Sequence, residues 1–160
     1  MGQCAFCRLN RENNPSVFWT NNVLWYALFS AYPLAPGHAM LVTVRHVKSY
    51  LELDFDEQAE FFNSLEAVSE ELKEKDLEQV YRRMLEKPID KMSESKCRRM
   101  LLHPGLKRMP DGYSHYVSDG NIPGRAIDHL QWHIIPRFRG DVKDSHGDIS
   151  YLINRMESSY

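Results

Sequence analysis

The sequence has few cysteines, no long apolar run and almost no net charge, and each shortage removes a class of protein. Three cysteines among 160 residues are too few, and odd in number, for a disulfide-stapled secreted scaffold. The apolar stretch from Val23 to Ala31 falls well short of the ~20 residues that a membrane-spanning helix needs. Lys and Arg number 20 against 22 Asp and Glu, a net charge of -2, without the basic excess of a dedicated DNA-binding module. The opening Met1-Gly2-Gln3-Cys4 lacks the basic start and apolar core of a signal peptide. Gly2 suits myristoylation, but Phe6 stands where that motif wants Ser or Thr. These absences lead to the expectation of a cytoplasmic protein with no membrane partner and no dedicated DNA binding. What is present is ordinary for a globular chain, with 42% hydrophobic and 26% charged residues, which argues against disorder. The length suits one domain over 1–160.

No internal repeat and no strand–helix alternation of a parallel sheet is visible. Residues 17–19 and 23–29 are aromatic and β-branched, with Asn21-Asn22 between them, and read as strands joined by a turn. Asn10 to Asn14, ending at Pro15, is turn chemistry. After the breakers Pro33, Pro36 and Gly37, residues 39–44 resume as a buried strand, so the first three strands form an antiparallel meander. Asp54 and Asp56 offer N-caps to a helix over 57–75, with Phe55, Phe62, Leu65, Val68 and Leu72 as its apolar stripe. Between 76 and 110 nine Lys and Arg face five acids, a local +4. Pro88 splits this stretch into helices over 77–86 and 93–102. It is either a solvated helical insertion or a lid or partner surface for an anionic ligand. Strands over 113–118 and 129–135 follow, the second stopped by Pro136. The fold class is α+β, an antiparallel sheet with one long helix packed on it plus the insertion.

Strand alternation places His129, Gln131 and His133 on one face and Leu130, Trp132 and Ile134 on the other, under the helix. A polar, histidine-bearing face backed by an apolar one is what a site on a sheet requires. His38 follows Gly37 at the mouth of another strand, and His46 lies at that strand's far end. The loop Asn121-Ile122-Pro123-Gly124-Arg125-Ala126 precedes the polar strand, and its backbone N–H groups with Arg125 suit a phosphate. His115 should face away from that loop as a packed or surface histidine, nothing in the spacing of His103 recommends it, His146 lies beyond the last core strand, and Cys97 in the insertion reads as a spare thiol.

Cys4-Ala5-Phe6-Cys7, then Pro33-Leu34-Ala35-Pro36-Gly37-His38, then Arg45-His46-Val47, then Gly124 before His129-Leu130-Gln131-Trp132-His133-Ile134-Ile135-Pro136-Arg137, resembles the histidine triad (HIT) superfamily. The stretch Arg139-Gly140-Asp141-Val142, with Gly147 further on, is similar to its bacterial zinc-containing branch. The resemblance covers about 1–75 and 111–150 and leaves the insertion unaccounted for. It implies a HIT-like fold, commonly a homodimer, that binds a purine nucleotide or nucleoside phosphate. It also implies hydrolase or nucleotidyltransferase chemistry on nucleoside phosphoramidates or dinucleoside polyphosphates. There the middle histidine of the triad attacks the α-phosphate and carries the nucleotidyl group.

In this sequence the middle position is Gln131, whose amide has no basic lone pair. Loss of a nucleophile elsewhere costs on the order of 10⁶ in turnover, so activity is expected to be weak or altered. Ser30 stands where a ribose-binding Asp is common, Ser118 where a phosphate-contacting Asn is, and Arg125 where Gln is. The resemblance thus implies catalytic-position residues Gln131 and His133, with His38, Ser30, Ser118, Gly124 and Arg125 on the substrate. It implies a structural Zn(2+) on Cys4, Cys7, His46 and His129, a closed tetrahedral set; a vestigial knuckle or a redox pair are the alternatives. Two further functional readings stay open: a catalytically silent nucleotide sensor or protein-interaction module, and a substrate-trapping substitution at position 131.

Overall fold

A computed structural model of the chain describes residues 4–9, 14–20, 23–120 and 126–141. Strands β1 (Val17–Thr20), β2 (Trp25–Phe29), β3 (Ala39–Thr43), β4 (Gly112–Val117) and β5 (Gln131–Arg137) form one antiparallel sheet in the order β1-β2-β3-β5-β4. The helices are α1 (Ala5–Arg8), α2 (Phe55–Lys73), α3 (Leu77–Glu86) and α4 (Lys91–Leu101), with a 3₁₀ turn at Tyr50–Glu52. The expected α+β class and the opening meander are both present. The last strand enters between β3 and β4, pairing Val42 with Gln131 and Met40 with His133.

Alternation along the buried strands divides the core in two. Trp25, Ala27, Phe29, Leu41 and Ile134 face α2 and pack with Val68 and Leu72. Tyr26, Leu28, Met40 and Val42 face the other way and are covered by Phe6 of α1. Gln131 and His133 share this second side through their partners Val42 and Met40.

Helix α2 begins two residues earlier than expected. Asp54 caps it, accepting the Glu57 N–H at 2.9 Å while the Glu57 carboxylate accepts the Asp54 N–H at 3.0 Å, a reciprocal box worth about 1 kcal/mol. Its apolar stripe differs from the expected one. Phe55 and Phe62 are 82% and 75% exposed, and the inward row runs through Phe61, Ser64, Leu65, Val68 and Leu72. Phe61 takes the inward place because its ring fits between Trp25 (5.4 Å) and Trp132 (4.8 Å).

Helices α3 and α4 pack on each other through Tyr81, Cys97 and Met100, while Leu77, Val80 and Met84 of α3 also lean on the α2 core. The final strand is shifted from its expected span of 129–135. It continues through Pro136 because beyond Ile134 only β4 flanks it, which leaves room for a residue without an N–H. It starts at Gln131, so His129 is not one of three successive rungs; it sits in a bend before the strand. The turns expected at 10–13 and 21–22 and the loop at 121–125 lie outside the described residues. No helix among the described residues is long and apolar enough to cross a membrane.

Candidate functional site

Two groups of side chains sit on the Phe6-covered side of the sheet. The first is built at its end. Cys4 precedes α1 and Cys7 lies within it, and Phe6 between them is buried and anchors the short helix. His46 follows β3 and His129 precedes β5, so chain pairing brings both rings to the cysteines. One ligand atom from each of Cys4, Cys7, His46 and His129 lies within 4.8 Å of all the others. Cys7 Sγ is 3.1 Å from His46 Nδ1, and His129 Nδ1 is 3.5 Å from Cys4 Sγ and 3.7 Å from Cys7 Sγ.

The tautomer of His129 follows from its surroundings. The ring is fully buried, and its Nε2 lies 2.9 Å from the Thr43 carbonyl and 3.0 Å from Thr43 Oγ1. A carbonyl only accepts, so the proton sits on Nε2 and the Nδ1 lone pair faces the sulfurs. That is the outer-sphere hydrogen bond that orients a metal-ligating imidazole. The four side chains form a set able to hold a metal ion.

The second group begins with His38, 3% exposed, whose Nε2 lies 2.9 Å from His133 Nδ1. His38 Nδ1 accepts the Leu34 N–H at 3.2 Å. The His38 proton is therefore on Nε2 and is donated to His133 Nδ1, which leaves the His133 proton on Nε2. Burial lowers the pKa of His38 to about 3, helped by the charges of His133 and Lys96, and burial lowers that of His133 to about 4. Both rings are neutral at pH 7, and His133 presents an N–H donor.

Around this pair stand the other expected residues. Gln131, 7% exposed, is two positions along the strand on the same side. Ser118 is buried and its hydroxyl donates to the Tyr116 hydroxyl at 3.1 Å, while the Tyr116 ring lies 5.9 Å from that of His133. Ser30 is buried at the end of β2, and its Oγ accepts the Tyr32 N–H. Gly124, Arg125 and His146 lie outside the described residues. His115 is on the opposite side, accepting the Trp132 indole N–H at 3.1 Å. His103 closes a turn by accepting the Gly105 N–H, and Cys97 is buried between α3 and α4.

Sequence reasoning missed Tyr116, although its even spacing from Ser118 put it on that face. It also missed Tyr81 and Asp90, which reach the His38 loop from the insertion and carry no local signal. A cavity of about 360 Å³ between α2, α3 and the chain at 106–110 borders Gly37, but none of His38, Gln131 and His133 lines it. The cavity is therefore separate from the His38–His133 group.

The sequence profile of the HIT domain matches residues 11–140. An uncharacterized HIT-like protein of Methanocaldococcus jannaschii is 24% identical over 140 residues, covering 86% of this chain and 81% of the relative. Among solved structures, a hypothetical histidine triad nucleotide-binding protein from Sulfolobus tokodaii is 26% identical with a TM-score of 0.55, covering 86% of this chain and 71% of that one. A Zn-bound histidine triad family protein from Mycobacterium smegmatis shares the fold at a TM-score of 0.52 and 15% identity, covering 99% of this chain and 98% of that one.

Proposed function

The chain belongs to the HIT domain family, and from that premise we propose that it binds a purine nucleotide or nucleoside phosphate on the face that carries Gln131 and His133. The observation that carries this reading is the 2.9 Å His38–His133 bond, with a backbone N–H fixing its far end. It locks an N–H donor on a sheet face, where a phosphoryl oxygen needs donors. The Gln131 amide adds donors beside it, and Gly124 and Arg125 are assigned to the phosphate by the family resemblance. Ser30 takes the ribose side and Ser118 the phosphate side.

The same proton assignment supports weak or altered turnover. Attack on phosphorus needs a basic nitrogen lone pair at position 131, and an amide offers none. His133 does not replace it, because its Nδ1 lone pair is engaged by His38. A face with N–H donors and no free imidazole nitrogen favours, as the second reading, a silent nucleotide sensor of hydrolase or transferase ancestry. The test is AMP release from an adenosine phosphoramidate and from a diadenosine polyphosphate, by the protein and by Gln131→His. Little release by the protein and restored release by the variant support the reading. AMP binding by neither form would overturn it.

Cys4, Cys7, His46 and His129 fit a structural zinc ion by chemistry, two thiolates and two imidazoles with no place left for water. The Thr43 bond to His129 supplies the matching tautomer. Bound there, the ion supplies no chemistry to a substrate; its effect is to tie α1 to the ends of β3 and β5. Cysteines in the thiol form suit a cytoplasmic setting. The chain is read as one HIT-like domain with its insertion, acting as a homodimer. The exposed Phe55 and Phe62 on α2 support a covered apolar face, and a monomeric mass by light scattering would reject it.

A further inference from the structure

The β2–β3 loop, residues 30–38, is closed on itself. Ser30 N–H donates to the His38 carbonyl at 2.9 Å, and His38 N–H to the Ala35 carbonyl at 3.0 Å. Besides the His38–His133 bond, two of its groups are held from outside, both by residues of the insertion. The Gly37 N–H donates to the Tyr81 hydroxyl at 2.8 Å, and Tyr81 is fully buried. Gly37 has φ 84, and a Cβ there would meet Pro136 at 3.2 Å and Leu77 at 3.5 Å. The positive φ and the tight contact with Pro136 both favour glycine at this point, where the loop meets α3. A buried N–H needs a partner, and the phenol is the one it has.

At the loop's other arm the Tyr32 hydroxyl donates to Asp90 Oδ2 at 2.8 Å. The second Asp90 oxygen caps α4 by accepting the Ser93 N–H at 2.7 Å. Tyr32 also donates its backbone N–H to Ser30 Oγ. The two anchors thus bracket the loop, one beside Ser30 and one immediately before His38. Lys96 of α4 lies close enough for its charge to help keep His38 neutral, so α4 faces the same loop.

We propose that Tyr81 and Asp90 are positioning residues through which the helical insertion sets the orientation of the His38–His133 pair, so that the insertion is a clamp on the ligand site and not a solvated appendage. The clamp rests on the nucleotide-binding reading for its purpose, and on the loop contacts for its existence. Gly37 and His38 are adjacent, so a peptide plane released by Tyr81 turns the ring that donates to His133. The Asp90–Tyr32 contact acts on the Ser30 arm and through it on the sugar side of the ligand.

The experiment compares the full-length protein with Tyr81→Phe and Tyr32→Phe. Ring ¹⁵N spectra of the histidines, AMP affinity by calorimetry and the melting temperature are recorded for each. Tyr81→Phe keeps the ring in its core and removes the acceptor, and it is expected to shift the His38 and His133 ring signals while leaving His115, on the far face, unchanged. Both variants are expected to bind AMP about three- to tenfold more weakly, the fold-change of one lost hydrogen bond. Unchanged His38 and His133 signals with unchanged affinity, in folded variants, would overturn the clamp. If Tyr81→Phe does not fold, Tyr32→Phe decides on affinity, because its hydroxyl pairs at the surface. If the unmodified protein binds no AMP, the nucleotide reading falls, and the ring signals alone decide whether the insertion holds the pair.

Discussion

Acidification should weaken the fold through His38 and His133 before it protonates most carboxylates. In the unfolded chain both rings bind a proton near 6.5; in the fold they stay neutral down to about 3 and about 4. Between these values the unfolded state holds more protons, so stability rises with pH across the window. The stabilisation is complete above pH 6.5 and is lost as pH falls toward the folded values. At pH ~5 each ring lies about 1.5 units below its unfolded pKa, which costs about 2 kcal/mol at 1.36 kcal/mol per unit. The two rings share one hydrogen bond, so the loss for the pair falls between about 2 and 4 kcal/mol. That is a large part of the 5–15 kcal/mol typical of a domain.

A metal held by the cysteine–histidine cluster would add an acid dependence of its own, because protons compete for metal-ligating lone pairs. A difference measurement removes that contribution. His133→Asn puts a group that does not titrate at the same place, and its cluster is untouched. Urea unfolding of both proteins between pH ~7.5 and ~5 should give a steeper fall for the unmodified chain, by up to about 1.4 kcal/mol per pH unit. Parallel curves would refute the neutral, buried pair.

Nucleotide binding, unlike stability, should not depend on pH while the fold persists, because both rings stay neutral: a phosphodiester of AMP, which lacks a second ionisation, is expected to bind equally well between pH ~5.5 and ~8, and a step near 6.5 by calorimetry would mean a protonated His133. Phe61→Ala should cost about 3–5 kcal/mol in denaturant unfolding, whereas Phe62→Ala stays within about 0.5 kcal/mol for the monomer; the reverse order would mean that α2 is rotated. Arg45→Ala strips Glu57, whose side chain is 2% exposed, of the guanidinium 2.6 Å away, and an unpaired buried carboxylate should cost about 3 kcal/mol in the same assay. Cys7→Ser should abolish stoichiometric zinc by mass spectrometry and lower the melting temperature, and a well-folded unmodified protein that never carries zinc would reject the four-ligand site.

The strands were legible because their periodicity is local: the aromatic and β-branched runs became β2 and β3, within two residues of the expected ends. The helix was legible as a helix, but its facing was not. Phe61 and Phe62 are neighbours of equal hydrophobicity, and only Trp25 and Trp132, distant in sequence, decide which of them turns inward. Strand alternation grouped His129 with Gln131 and His133, whereas Thr43 and the α1 cysteines hold His129 in a bend before the strand begins. The insertion was visible as two helices. Its grip on the His38 loop was not, because a tyrosine hydroxyl on a glycine N–H, 44 positions apart, leaves no pattern in the chain.

On the Phe6-covered side His38, His129 and His133 all keep the proton on Nε2 and divide their labour through what each ring nitrogen faces, which backbone groups decide. The Thr43 carbonyl takes the His129 proton and frees a lone pair for the sulfurs. The Leu34 N–H does the reverse at His38, occupying its lone pair so that its proton passes down to His133 as a donated bond. One ring is thereby prepared to hold a cation and the other to meet an anion, although both stand on the same strip of chain four residues apart. Neither assignment depends on the side chain at 131, which is why a glutamine is tolerated there with the framework intact. On the proposed reading the consequence of that glutamine falls on chemistry: His133 and the Gln131 amide keep N–H donors for an anion, while the amide lacks the basic nitrogen that attack on phosphorus would need.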